Sequence, residues 1–109
     1  MRLIVRSTAN IDIVAAAEYY EERRVGLGND FFHEVEATFH LLQHHPRLGQ
    51  PLVPNGALRR FQLKRFPYQV IYLLSFKTII IRAVTHQQRL PGVWQNQVQE
   101  LAAVYALAA

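Results

Sequence analysis

The chain has 109 residues, a formal charge of +4 and no cysteine. That length supports one modest core and not two, so the expectation is a single domain over residues 1–109. The absence of cysteine excludes a disulfide framework, a thiolate zinc site and a nucleophilic thiol. The longest apolar runs, such as Val70 to Leu74 and Ile79 to Ile81, fall far short of the roughly 18 to 20 residues that span a bilayer. The opening Met-Arg-Leu-Ile-Val reaches polar Ser7 and Thr8 without the apolar region of a signal peptide. A cytoplasmic location is therefore expected.

In chain order, Arg2 to Arg6 alternates in the manner of a short strand, with Leu3 and Val5 on one face. Ser7 and Thr8 are placed to cap a helix carrying Ile11, Val14 and Ala17, with Asp12 in its first turn and its end near Gly26. Leu27, Phe31, Val35, Phe39 and Leu42 form a stripe near the 3.6-residue period, and Pro46 closes this second helix. A loop rich in turn formers, from His45 to Ala57, leads to three predicted strands: Leu58 to Lys64, Tyr68 to Leu74 and Thr78 to Thr85. Their short connections predict antiparallel neighbours. Helices first and strands afterwards make an α+β fold: an N-terminal strand and a helical hairpin packed on a twisted antiparallel sheet. Trp94, Val98, Leu101 and Tyr105 keep helical spacing, so a C-terminal helical extension is expected over residues 95–109.

Charge is distributed unevenly. Seven of the eight acidic residues lie between Asp12 and Glu36, while Ala37 to Gln99 carries eight Lys and Arg residues and no carboxylate. Such a run implies a positive surface that faces a polyanion or an acidic partner. Arg59 and Arg65 share a side-chain parity on the first strand of the meander, and Arg82 shares one with His86 on the last, about 13 Å apart at roughly 3.3 Å per residue. This predicts a cationic sheet face formed by Arg59, Arg60, Arg65, Arg82 and Arg89 with Trp94 beyond, where arginine can bind phosphate or carboxylate in bidentate fashion.

Of the histidines, His40, His44 and His45 sit at the end of the second helix, where they suit the helix dipole. His86, at a strand end beside cations, is placed to act as a general acid or base. The sequence carries no Gly-rich phosphate loop, no paired acids in its basic half and no Ser-centred elbow. Neither a cofactor nor a metal is expected.

Taken in order, the segments ANIDIVAAAEYY (9–20), GLGNDFFHEVE (26–36), HPRLGQP (45–51), RFPYQVIY (65–72) and IIIRAVTHQQRLPGVW (79–94) resemble the RelE/ParE family of type II toxins. The resemblance implies a cognate antitoxin that wraps and neutralises the toxin in a hetero-oligomer, and one of two activities. RelE-like members cleave mRNA in the ribosome without a metal; ParE-like members bind and poison DNA gyrase. Nuclease members tend to carry an arginine in a central-strand segment like RLVY, where this chain has QVIY with Gln69. A second expected arginine is matched by Gln87, with Arg89 close by, and a C-terminal tyrosine is replaced by Trp94. Amides do not supply the fixed charge that a phosphoryl transition state needs, so the ParE-like reading is favoured. If the chain is instead a nuclease, His86, Arg82 and Arg89 are the residues to carry the chemistry.

Overall fold

The computed structural model describes residues 1–87. It contains β1 (Arg2–Val5), α1 (Ser7–Arg23), α2 (Leu27–His44), β2 (Gln50–Pro51), β3 (Leu58–Gln62), β4 (Tyr68–Ser75) and β5 (Thr78–His86). The expected α+β fold is present, and the C-terminal helical extension predicted for 95–109 lies outside the described residues. The strands form one sheet in the order β1-β5-β4-β3-β2. Its meander β3-β4-β5 is antiparallel as expected, but β1 runs parallel to β5, with Arg2 opposite Thr78 and Val5 opposite Ile81. The sheet is therefore mixed. A parallel neighbour needs a long crossover, and here all the chain from α1 to β4 lies between the two strands.

Helix α1 begins without a side-chain cap: Arg6 occupies the cap position in an extended conformation, and Ser7 is already helical. The residues expected to start the helix do other work. Strand β1 ends at Val5, which leaves the edge of β5 beyond Ile81 uncovered. Side chains of α1 finish that edge, with Thr8 Oγ1 donating to the Arg82 carbonyl at 3.4 Å and Asp12 Oδ2 accepting from the Val84 N–H at 3.1 Å. Backbone groups left without a strand partner are satisfied in this way rather than left at a cost of about 1–3 kcal/mol each.

The turn between the helices is set by Glu21. Its carboxylate accepts from the N–H groups of Gly26 and Gly28 at 3.0–3.1 Å, which caps the start of α2 with negative charge. Gly28 is required there for space, since a Cβ would stand 2.6 Å from the Ala17 carbonyl oxygen of α1. The predicted stripe of α2 faces inward: Phe31, Val35 and Leu42 are buried, and Leu27 and Phe39 pack against the same core.

That core fills the space between the helices and the sheet. Ala9, Ile13, Ala16 and Ala17 of α1 and the α2 stripe meet Val70, Tyr72, Ile79, Ile81 and Val84 of the sheet. Tyr20, Phe31, Phe66 and Tyr68 close one end as an aromatic cluster with ring centroids 4.8–6.0 Å apart. Each fully buried large side chain here is worth about 1.5–3 kcal/mol. A smaller core of Val53, Leu58, Ile71, Leu73 and Ala83 lies on the other face of the sheet, where the loop around Leu52, Val53 and Ala57 covers part of it.

Candidate recognition surface

The two cores show which face each strand residue takes. On β3 and β4, Leu58, Ile71 and Leu73 belong to the face that no described helix covers, here the helix-free face, and Leu63, Val70 and Tyr72 to the helix side. With the register Arg60 opposite Ile71 and Gln62 opposite Gln69, period-two alternation puts Arg60, Gln62 and Gln69 on the helix-free face. Gln50 of β2 stands opposite Arg60, and Thr85 of β5 opposite Gln69. A polar row thus crosses three strands, beginning where the second core ends.

Strand β5 breaks the alternation. Ile71 faces Ala83 whereas Tyr72 faces Ile81, so Arg82 is an extra residue in a β-bulge. Before the bulge Ile79 and Ile81 lie on the helix side; after it Ala83 is on the helix-free side and Val84 on the helix side. His86, two residues past Val84, therefore belongs to the helix side. It stands opposite Tyr68, with ring centroids 5.4 Å apart in an edge-to-face arrangement. The bulge therefore breaks the parity count between Arg82 and His86 on which their shared face was predicted.

The predicted cationic face is also dispersed. Arg59 is only 8% exposed. Its guanidinium donates to the carbonyls of Gly56, Gly49 and Arg47 at 2.8–2.9 Å, stapling the 45–57 loop to β3. Tyr72 holds the same loop from β4, its hydroxyl donating to the Pro46 carbonyl and accepting from the Gly49 N–H, both at 2.8 Å. Burial pushes the Tyr72 phenol above its ordinary pKa, against smaller opposing contributions from the Gly49 N–H and from Arg59. A side chain at Gly49 would land on that hydroxyl.

Arg65 lies past the end of β3, not on it. Its N–H donates to the Glu34 carboxylate at 3.1–3.2 Å and its guanidinium stands 3.6 Å from Asp30, so it is bound to α2 on the helix side. Of the predicted arginines within the described residues, Arg60 alone lines the helix-free groove. Arg89 and Trp94 lie outside the described residues.

That groove has a volume of about 560 Å³ and is lined by Gln50, Arg60, Phe61, Gln62, Gln69 and Gln87. Arg60 donates from Nε and Nη2 to the Gln50 Oε1 at 2.9–3.0 Å, so its charge meets an amide and no carboxylate. The Gln62 amide is spent on carbonyls of its own turn, chiefly Tyr68 at 3.0 Å. Gln69 is 3% exposed, and its carboxamide makes no hydrogen bond with any described residue. The sequence comparison singled out Gln69 and Gln87 for what they lack; their gathering with Gln50 and Gln62 into one groove depended on strand register.

A second groove, of about 570 Å³, lies on the outer side of the helical hairpin between Val14, Glu18, Val25 and Phe32. Among the described residues no cluster of three histidines or acids could hold a metal ion, and no helix is long and apolar enough to cross a membrane.

Among solved structures the chain is similar to one described as the chromosomal ParDE TA system from P. aeruginosa, at 18% identity and a TM-score of 0.65, over 79% of this chain and 95% of that one. At that identity the likeness is one of fold. No curated protein matches the chain. The family model described as the ParE toxin of the type II toxin–antitoxin system parDE matches residues 3–91. With its strand, hairpin and meander in the order the sequence predicts, the chain belongs to the ParE toxin family, whose members are paired with an antitoxin.

Proposed function

We propose that this ParE-family toxin is a cytoplasmic growth inhibitor that acts by binding DNA gyrase, without turnover, and that a cognate antitoxin neutralises it in a toxin–antitoxin hetero-oligomer. The observation that carries the reading is that the open cation of the groove and the proposed acid or base stand on opposite sides of the sheet, the helix-side Arg65 being already engaged with Asp30. Among the described residues the helix-free groove holds four glutamines and a single arginine, while His86, the one histidine proposed as an acid or base, belongs to the opposite side of the sheet beside Tyr68. Cleaving a phosphodiester requires both functions within hydrogen-bond reach of the same phosphate. Binding requires neither.

In this reading Arg60, Arg65, Arg82 and Arg89 contribute contacts and steering to target or antitoxin, and Trp94 is an interface anchor. Arg59 acts indirectly, by shaping the loop beside the groove. Purified toxin added to gyrase and relaxed plasmid should block supercoiling or trap cleaved DNA, and Trp94→Ala should abolish the effect. Gyrase that supercoils at its normal rate in excess toxin would overturn the proposal.

A further inference from the structure

The helix-free groove has features of a site rather than of a solvated sheet face. A glutamine amide buried without a partner costs about 1–3 kcal/mol, yet Gln69 is 3% exposed and its carboxamide has no hydrogen bond to a described residue. No polar side-chain atom among the described residues is both fully buried and unpaired, so the Gln69 amide reaches solvent through the groove it lines. It sits in the middle of the Gln62–Gln69–Thr85 row, one row from Arg60. The ion pairs among the described residues belong to Arg24 and Arg65 on the helix side, which leaves the Arg60 charge without a carboxylate.

We infer that this groove is built for an extended acidic peptide segment, and that the segment comes from the antitoxin. A carboxamide donates and accepts at once, as a peptide group does, so the open amide of Gln69 matches a peptide backbone laid across the sheet. Arg60, already oriented by Gln50, presents its remaining N–H groups to one carboxylate. Charge decides between a polypeptide and a nucleic acid. Binding a phosphate backbone depends on several cations in a row, whereas among the described residues the groove offers one cation among amides. The antitoxin is the occupant favoured by charge on a larger scale too, since the 63 residues from Ala37 to Gln99 carry eight cations and no acid, and a segment that folds on binding can follow such a surface.

This inference rests on the toxin–antitoxin reading but not on gyrase as target, so a toxin that spares gyrase leaves it standing. The probe is the full antitoxin encoded beside the toxin, titrated into the full toxin by calorimetry, with the Gln69 side-chain amide followed by NMR. On complex formation the Gln69 amide resonances should shift and resist solvent exchange. Arg60→Glu should weaken binding at least tenfold at low salt, and Gln69→Leu roughly threefold to tenfold, while Lys77→Glu in the distant β4–β5 turn binds as the unaltered toxin does. Each variant is used only after its melting temperature has been shown to be native. Unmoved Gln69 resonances, or folded Arg60→Glu and Gln69→Leu variants with unaltered affinity, would overturn the inference.

Discussion

On the helix side of the sheet Val70, Tyr72, Ile79, Ile81 and Val84 are sealed beneath α1 and α2, whereas on the other side Arg60, Gln62, Gln69 and Thr85 form a row that no described helix covers. Both faces come from the same three strands, so alternation alone separates a dry core from a polar groove. The difference is sharpest at Arg59 and Arg60. These neighbours share a charge and a strand, but one is a buried staple for the 45–57 loop and the other is an open cation in the groove. Charge in this sequence therefore has two uses, and only position in the pleat distinguishes them.

Substituting each arginine in turn separates the buried staple from the open cation. Arg59→Leu strips three carbonyls of their donor, and should cost about 3 kcal/mol of stability, on the scale of losing a buried hydrogen-bond network. Arg60→Leu, at a half-exposed position with one amide partner, should stay within about 0.5 kcal/mol. Denaturant melts of the two variants give the contrast directly, and equal destabilisation would show that Arg59 is no more structural than its neighbour.

A narrower cut uses the second staple of the same loop. Tyr72→Phe keeps the ring but removes the acceptor of the Gly49 N–H and the donor to the Pro46 carbonyl. About 1–2 kcal/mol should be lost, with amide exchange accelerated at Gly49 and not in α2. Exchange that speeds up uniformly would mean that the loop has no stability of its own to lose.

The same tyrosine makes stability depend on alkali. Tyr72 and Tyr20 both titrate above the ordinary tyrosine value, mainly because burial disfavours the phenolate, with Tyr68 and Tyr19 adding to the effect at Tyr20. A raised pKa means that the folded protein holds its proton more tightly than the unfolded chain. Their contribution is thus complete below about pH 10, the unfolded value, and is lost as pH rises through the folded values. Stability should fall above about pH 10, and Tyr72→Phe should flatten part of that fall. A pH profile identical in the variant would remove Tyr72 from the account.

The smallest effect belongs to the helix-side cation. Arg65 faces Asp30 across 3.6 Å with both side chains well exposed, and such pairs contribute about 0–1 kcal/mol. Asp30→Asn should shift the melting temperature by no more than a degree or two, and 1 M salt should erase the shift.

Much of this architecture was legible in the sequence. The α2 stripe from Leu27 to Leu42, the Pro46 stop and the three strands of the meander follow from periodicity and turn chemistry, and they stand within a residue or two of prediction. What was not legible depended on long-range pairing. The parallel partnership of β1 with β5 joins segments more than 70 residues apart, and the Arg82 bulge exists only relative to β4. That one extra residue moved His86 off the face assigned to it by counting. Asp12 was misread for a similar reason: its value for a helix dipole is local, but its hydrogen bond is to Val84, across the fold. Arg59 looked like surface charge because nothing in its neighbourhood announces three carbonyls waiting for a donor.

The central claim is that the basic half of this toxin recognises and does not cut. The most direct test exposes translating ribosomes carrying labelled message to the purified toxin and to His86→Ala, and reads the message for cleavage. The account predicts intact message with both proteins. Message cut by the toxin, and spared about a hundredfold by His86→Ala, would contradict it.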